Sequence, residues 1–326
     1  MNILYPLKFK AIFKDKIWGG DKIKTVLKKD FSPLPNCGEV WVLSGVKGNQ
    51  TLVENGFLAG NELNELVEIY MGDLVGEKVF EKFGDEFPIL LKFIDANAWL
   101  SIQVHPDDDL AKKRGLDSGK TEMWYILNAG ENSELISGFS KKVNQETYLQ
   151  NLKNKTLKDI LNFEKVKQGD VFYMPSGRVH AIGPEILLAE IQQTSDITYR
   201  IYDWDRVDDK GNSRELHTDL ALDALDFEVQ KDYRTHYRQK INETATVVDS
   251  KYFSTNILEF DRGIKKDYSE LDSFVIYICT EGEMNIEYPA GNINLKFGDV
   301  LLIPNVINDI NIFPVKHSKL LEVFIK

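Results

Sequence analysis

The chain has 326 residues, of which 43% are hydrophobic and 28% charged, and its formal net charge is −11. Such values are typical of a globular protein with one or two domains. The acidic balance argues against a protein that wraps nucleic acid, and no apolar run approaches the roughly 18 residues of a membrane helix. Two cysteines outside any motif fit a reducing compartment. We therefore expect a cytoplasmic protein that binds neither nucleic acid nor membranes.

Apolar runs, alternating or continuous, predict short strands through the first part of the chain. The predicted strands cover 38–44, 87–94, 100–105 and 119–127. Leucine spacing of three and four predicts two helical inserts, at about 61–83 and 140–162. Lys92 lies inside the apolar run 87–94. We interpret it as a side chain that reaches out to solvent, and the alternative is a cation that points into a pocket.

A short segment occurs twice, as Gly169–Pro175 and as Gly298–Pro304. In both copies a Gly-Asp turn precedes an apolar strand that a proline ends. The fifth residue after the proline is His180 in the first copy and Asp309 in the second. The repeat therefore predicts two related units, the second of which has lost a histidine.

Many short strands separated by glycine and proline turns favour a mainly β fold. We predict two jelly-roll β-sandwich units with short helical inserts. The first unit would span 1–240 and carry the functional site, and the second would span 246–326. Because the second copy of the repeat lacks the histidine, we expect no metal site there.

Four polar residues of the first unit form a candidate metal site. Gln103 and His105 share one face of a predicted strand, because side chains alternate along a strand. Glu122 lies on the next strand, and His180 follows the strand of the repeat at a bend. Alone, each would be an ordinary buried polar group. Together, two imidazoles, a carboxylate and an amide oxygen suit zinc with one open position, or manganese, iron or cobalt.

Three segments of the sequence carry a family resemblance. Leu100–Asp108, Gly119–Tyr125 and Glu190–Arg200 resemble, in this order, the type I mannose-6-phosphate isomerases of the cupin superfamily, in particular their shorter bacterial form. The spacing from Gly169 to His180 is similar to the second metal motif of cupins. The resemblance covers most of 1–230. It implies a zinc-dependent isomerase that interconverts mannose 6-phosphate and fructose 6-phosphate through a cis-enediol.

The same resemblance assigns a role to each candidate residue. It implies one zinc ion per chain, with the ligands Gln103, His105, Glu122 and His180, of which the amide is the weakest. It implies that the catalytic residues are Arg200, Lys120 and Glu190. It implies that the substrate contacts are Ser101, Lys120 and Arg200, with the serine near the phosphate. The base stays open between Glu190, Lys120 and a hydroxide bound to zinc.

Each of these assignments has an alternative. Arg200 would otherwise pair with the acidic loop that contains Asp203 and Asp205, and Glu190 would otherwise orient a metal ligand. The chain would otherwise be a cupin that binds a sugar phosphate without turnover, or an oxidative cupin that needs iron and oxygen. The expected partner is a small sugar phosphate, and the expected state is a monomer or a weak homo-oligomer.

Overall fold

A computed structural model describes residues 4–207 and 210–326. Antiparallel strands dominate it. The strands are β1 Ile12–Lys14, β2 Glu39–Leu43, β3 Ile89–Ala96, β4 Ile102–Val104, β5 Glu122–Ala129, β6 Glu134–Phe139, β7 Leu161–Lys165, β8 Val171–Met174, β9 His180–Ile182, β10 Ile186–Gln193, β11 Tyr199–Tyr202, β12 Thr244–Asp249, β13 Ser254–Phe260, β14 Ile264–Asp267, β15 Val275–Tyr288, β16 Gly291–Lys296, β17 Val300–Ile303 and β18 Asp309–Phe324. The helices are α1 Lys22–Thr25, α2 Leu63–Val75, α3 Glu77–Phe83, α4 Asp108–Lys113, α5 Gln145–Lys153 and α6 Thr218–Ala224, with a 3₁₀ turn at Leu157–Ile160.

Two sheets of the first part of the chain pack face to face. A six-stranded sheet has the order β1-β2-β3-β10-β5-β8, and a five-stranded sheet has the order β11-β4-β9-β6-β7. One core cluster joins them: Trp124 and Leu188 of the first sheet pack with Leu135 and Ile182 of the second. Buried apolar area of this kind is the main force that holds two sheets together, at roughly 25 cal/mol per Å².

The other face of the six-stranded sheet packs on a third sheet and on α2 and α3. This third sheet has the path β12-β13-β18-β15-β16, with β14 paired to β18 and β17 paired to β15. A single cluster contains Phe93 and Ile191 of the six-stranded sheet together with Ile276 and Leu321 of the third. Because both faces of β3 and β10 are covered, these strands read as nearly continuous apolar runs.

The predicted fold class, mainly β with two sandwich units and short helical inserts, is confirmed. The insert at 61–83 consists of α2 and α3, which meet at Gly76, whose φ is 95°. The insert at 140–162 consists of α5 and the 3₁₀ turn. One local prediction is wrong, because His180 begins a strand, β9, where we expected a bend. The division at residues 240–246 stays a prediction.

The two copies of the repeat adopt the same local structure. Gly169 and Gly298 have φ angles of 88° and 83°, in the left-handed region that favours glycine. The carboxylates of Asp170 and Asp299 each accept a hydrogen bond from the backbone N–H three residues earlier, at 2.9 and 3.1 Å. His180 begins the strand that follows the first copy and Asp309 the strand that follows the second. The scaffold is therefore repeated although the histidine is not.

Asp272, in the turn before β15, ties the C-terminal part of the chain to α3. Its carboxylate accepts hydrogen bonds from the N–H groups of Glu77 (2.7 Å) and Lys78 (3.1 Å) at the helix N-terminus. A Cβ at Gly76 would lie 2.4 Å from the Asp272 carbonyl oxygen, so a larger residue there would separate the two segments. One carboxylate thus satisfies two backbone donors that the helix itself leaves unpaired.

We expect Asp272→Ala to lower the free energy of unfolding by about 1–2 kcal/mol, because two N-terminal helix donors lose their acceptor. The midpoint of urea unfolding measures the change. Glu270→Ala, two residues away at an exposed position, is the control and should change stability by less than about 0.5 kcal/mol. Equal effects of the two substitutions would contradict the capping role.

Candidate metal and substrate site

The site lies in the space between the six-stranded and five-stranded sheets. Gln103 on β4 is directly opposite His180 on β9 and opposite Arg200 on β11. Glu122 begins β5 in the facing sheet. His105 follows the end of β4, where the chain turns into Pro106. The two sheets therefore bring together the four predicted metal ligands, which are far apart in sequence.

Two histidines and a carboxylate form a tight buried group. His105 Nε2 lies 3.6 Å from one carboxylate oxygen of Glu122, and His180 Nε2 lies 3.4 Å from the other. All three residues are buried, and one ligand atom from each lies within 4.8 Å of the others. Within the described chain, neither ring nitrogen of His105 and neither oxygen of Glu122 makes a hydrogen bond of good geometry, although the Lys120 ammonium lies 3.0 Å from one of these oxygens. Since unpaired buried polar atoms are costly, this arrangement fits a bound cation.

Hydrogen bonding fixes the ring of His180. Its Nδ1–H donates to the Arg178 carbonyl oxygen at 2.8 Å, so the lone pair of this neutral ring is on Nε2, the nitrogen nearer Glu122. Burial, assisted by the charge of Lys120, lowers the pKa of His180 to about 4 although the Arg178 carbonyl opposes the change. Burial and the same lysine also lower the pKa of His105. Neutral imidazole is the form that binds metal ions.

Gln103 lies beside this group. Its amide nitrogen is 3.3 Å from Nε2 of His180, so the amide donates to the ring. A metal ligand must instead present its oxygen, and this requires the amide to turn by about 180°. Of the four predicted ligands, three form a group able to hold a metal ion, called the metal-binding group below, and ligation by each of the four residues stays a prediction.

Lys120 and Glu190 are both buried next to the metal-binding group. The ammonium of Lys120 lies 3.0 Å from Glu122, and the negative charges of Glu122 and Glu190 outweigh burial and raise the pKa of this lysine. Glu190 accepts a hydrogen bond from the Trp124 indole at 3.0 Å. Burial and the charge of Glu122 raise its pKa. Trp124 therefore holds one oxygen of Glu190, while the other oxygen lies 3.6 Å from the Lys92 ammonium.

Lys92 lines the cleft described below, in agreement with the alternative interpretation of a cation that points into a pocket. It is only 3% exposed, so the interpretation of a side chain that reaches solvent is wrong. Its ammonium lies 3.8 Å from Glu39, 3.6 Å from Glu190 and 3.7 Å from Asp196. Although burial opposes it, the charges of Lys92 and Lys16 lower the pKa of Glu39 to about 2. The sequence feature that indicates this role is a charged residue within an otherwise apolar strand.

In the part of the chain that the structure describes, Arg200 forms no ion pair with Asp203 or Asp205. Its Nη1 donates to the Glu215 carbonyl oxygen at 2.8 Å, and its Nε has no partner among the residues that the structure describes. Asp203 instead accepts hydrogen bonds from Arg206 and Arg214. Asp205 accepts a hydrogen bond from Tyr202 and lies 3.8 Å from Lys155. The alternative interpretation of Arg200 as a partner of this loop is not supported by these contacts.

A cleft of about 300 Å³ opens next to the metal-binding group. Its lining combines the predicted residues with cations that the sequence interpretation did not select. The lining residues include Lys16, Glu39, Lys92, Ser101, Gln103, Lys120, Glu190, Asp196, Arg200 and Arg214. Five of these ten side chains are lysine or arginine. An acidic chain therefore provides a local basic environment that suits an anionic ligand.

Comparison with known proteins places the chain in a family. Residues 6–136 match the family model for the catalytic domain of type I phosphomannose isomerase. The chain is 35% identical over 305 residues to the mannose-6-phosphate isomerase ManA of Bacillus subtilis, which covers 92% of this chain and 93% of that protein. This chain belongs to the mannose-6-phosphate isomerase family. The Streptococcus mutans mannose-6-phosphate isomerase is 34% identical over 307 residues, or 93% of each chain.

The structure agrees with membership of the mannose-6-phosphate isomerase family. The crystal structure of the Bacillus subtilis mannose 6-phosphate isomerase matches it with a TM-score of 0.88 and 31% identity, over 98% of this chain and 99% of that one. The resemblance inferred from three sequence segments is thereby confirmed, and the chain is an isomerase. Across 4–207 and 210–326, no helix is long and apolar enough to span a lipid bilayer.

We expect a chelator to lower the melting temperature of the purified protein, because an ion that binds only the folded state stabilises it. At an ion concentration 1,000 times Kd this contribution is about 4 kcal/mol. His180→Ala should lose both the bound ion and the effect of the chelator. Asp309→Ala, at the corresponding position of the second repeat, should keep both. Melting curves and elemental analysis give the result, and a full metal content in His180→Ala would rule out this site.

Proposed function

We propose that this isomerase interconverts mannose 6-phosphate and fructose 6-phosphate, with one zinc ion per chain at His105, Glu122 and His180. The observation that carries the proposal is a buried donor group with unpaired atoms that adjoins a basic cleft. Relatives that share more than nine-tenths of their length with this chain are named for this activity. We further propose Gln103 as the fourth protein ligand, since it lies next to His180 in the sheet register.

The donor set fits zinc chemically. Two imidazoles and one carboxylate are a common protein ligand set for catalytic zinc, and the two cysteine thiols lie outside the group. When bound, the ion would act as a Lewis acid towards the oxygens on C1 and C2 of the sugar. Manganese, iron and cobalt share these ligand preferences, so metal analysis has to decide among them.

The reaction moves one proton between C2 and C1 and another between the two oxygens. Of the candidate bases, Glu190 is the best placed: it lines the cleft, and the Trp124 N–H and the Lys92 ammonium hold its carboxylate. Lys120 pairs closely with Glu122 and is better suited to donate a hydrogen bond to a sugar oxygen. We therefore propose Glu190 as the group that carries the carbon-bound proton.

The charged end of the substrate needs a partner of its own. Arg200 and Ser101 line the same cleft, and a guanidinium binds phosphate through two parallel hydrogen bonds. We propose that Arg200 contacts the phosphate or the developing negative charge and that Ser101 lies near the phosphate. A cupin that binds a sugar phosphate without turnover is the second candidate. The presence of Lys120 and Glu190 beside the metal-binding group favours turnover.

The two cysteines bear on the cellular location. Cys37 and Cys279 are both free and buried, which fits the proposed reducing, cytoplasmic location. We keep the expectation of a monomer or weak homo-oligomer. We also propose that residues 246–326 hold no metal, since Asp309 is largely exposed and lies 3.4 Å from Lys265.

A coupled assay tests the reaction directly. The protein should convert mannose 6-phosphate into fructose 6-phosphate, and a chelator should abolish turnover until zinc is restored. Turnover that persists in a protein shown by elemental analysis to be free of metal would exclude the metal's role. Tight binding of mannose 6-phosphate without any turnover would favour the second candidate. Oxygen uptake in the presence of iron would indicate an oxidative cupin instead.

Arg200→Ala should lower kcat/KM by about 10²–10³-fold, because a cation that stabilises substrate or transition-state charge in a water-poor cleft is lost. Metal content and melting temperature should change little. The control is Arg114→Ala, since Arg114 stacks on Tyr199, the neighbour of Arg200 on β11, and does not line the cleft. Activity of Arg200→Ala within a few-fold of the wild type would assign this residue a purely structural role.

A further inference from the structure

Arg214 brings a second guanidinium to the same cleft as Arg200. None of the sequence segments that carry the family resemblance includes it, since it follows β11 by 12 positions. Its side chain is 31% exposed, so it is part of the cleft wall and still reachable by a small ligand.

A buried carboxylate holds Arg214 in one orientation. Nε of Arg214 donates to one oxygen of Asp203 at 2.7 Å, and Nη2 donates to the other at 2.5 Å. Asp203 is itself 4% exposed and also accepts a hydrogen bond from Arg206. A guanidinium fixed by two parallel hydrogen bonds loses little further freedom when it binds an anion.

The chain segment that carries Arg214 packs along Arg200. Arg200 Nη1 donates to the carbonyl oxygen of Glu215, and the backbone N–H of Arg200 donates to the ring of His217 at 3.1 Å. Burial and then the positive charge of Arg214 lower the pKa of Arg200. Two neighbouring cations in one cleft repel each other, and an anion bound between them removes that repulsion.

We infer that Arg214 binds the phosphate of the substrate together with Arg200, and that Asp203 is its positioning residue. The inference rests on the proposed sugar-phosphate substrate. A phosphate monoester carries nearly two negative charges and three terminal oxygens at neutral pH, so it can accept hydrogen bonds from both guanidinium groups. Arg214 would then contribute to the preference for a phosphorylated over a free sugar.

Steady-state kinetics with mannose 6-phosphate test this role. Arg214→Gln should raise KM about 10- to 100-fold, the range that the loss of a charged hydrogen bond predicts. Its kcat should stay within about threefold, because the lost contact acts equally in ground and transition states. Arg214→Lys keeps the positive charge but loses the planar guanidinium with its parallel N–H donors. Its KM should lie between those of the wild type and Arg214→Gln. Inhibition by inorganic phosphate should weaken in the same order.

Arg206→Gln is the matched control. Arg206 also binds Asp203 and donates to the Trp99 carbonyl oxygen, but it does not line the cleft. Its removal should lower the melting temperature and leave KM close to that of the wild type. An unchanged KM in Arg214→Gln, a loss confined to kcat, or an equal rise of KM in Arg206→Gln would each overturn the inference.

The two proposals can fail separately. A wild-type protein that binds mannose 6-phosphate without isomerising it refutes the proposed function. Calorimetric titration of the same variants with mannose 6-phosphate and inorganic phosphate then still decides the role of Arg214. If the wild type binds neither compound, both proposals are wrong.

Discussion

The site depends on a carboxylate and two imidazoles that are buried together between two sheets. Glu122 comes from the six-stranded sheet and His180 from the five-stranded one, so the group can form only when the sandwich closes. Burial of the Glu122 carboxylate is costly, and the Lys120 ammonium, 3.0 Å from one of its oxygens, offsets only part of that cost. An ion that binds this group would therefore favour closure of the sandwich.

Sheet register explains how further charges reach the same place. On the inner face of the six-stranded sheet, Trp41, Lys92, Glu190 and Trp124 lie opposite one another on four consecutive strands. In this row the two charged residues lie between two indoles: the Lys92 ammonium is 4.7 Å from the centre of the Trp41 ring, and Glu190 accepts a hydrogen bond from Trp124. In such surroundings ionic contacts are stronger than in water, and the cleft can hold cations close together.

The sequence predicts those parts of the site that depend on patterns within short stretches of the chain. Strand alternation placed Ser101 and Gln103 on a polar face, and the family resemblance named the ligands. In the second copy of the repeat, Asp309 occupies the position of His180; it begins β18 and is largely exposed. These are local patterns, and periodicity reads local patterns well.

Periodicity within short stretches does not predict contacts between segments that are distant in sequence. We interpreted Lys92 as a side chain that reaches out to solvent because its partners, Glu39 and Asp196, are far away in sequence. Arg214 carried no pattern at all, since its role depends on Asp203 and on the packing of its segment against β11. Strand β9 was missed because three residues are too few to show a period. Only the folded structure reveals these residues as neighbours.

The second unit has a physical role that does not depend on a metal. The six-stranded sheet presents apolar side chains on its outer face, among them Phe93 and Ile191, and Ile276 and Leu321 of the third sheet cover them. Without that cover, β3 and β10 would expose a broad apolar surface, and the inner face that carries Lys92 and Glu190 would lose its rigid support. Loss of the histidine is thus compatible with retention of the scaffold, because the repeated sheet now stabilises the strands on which the site is built.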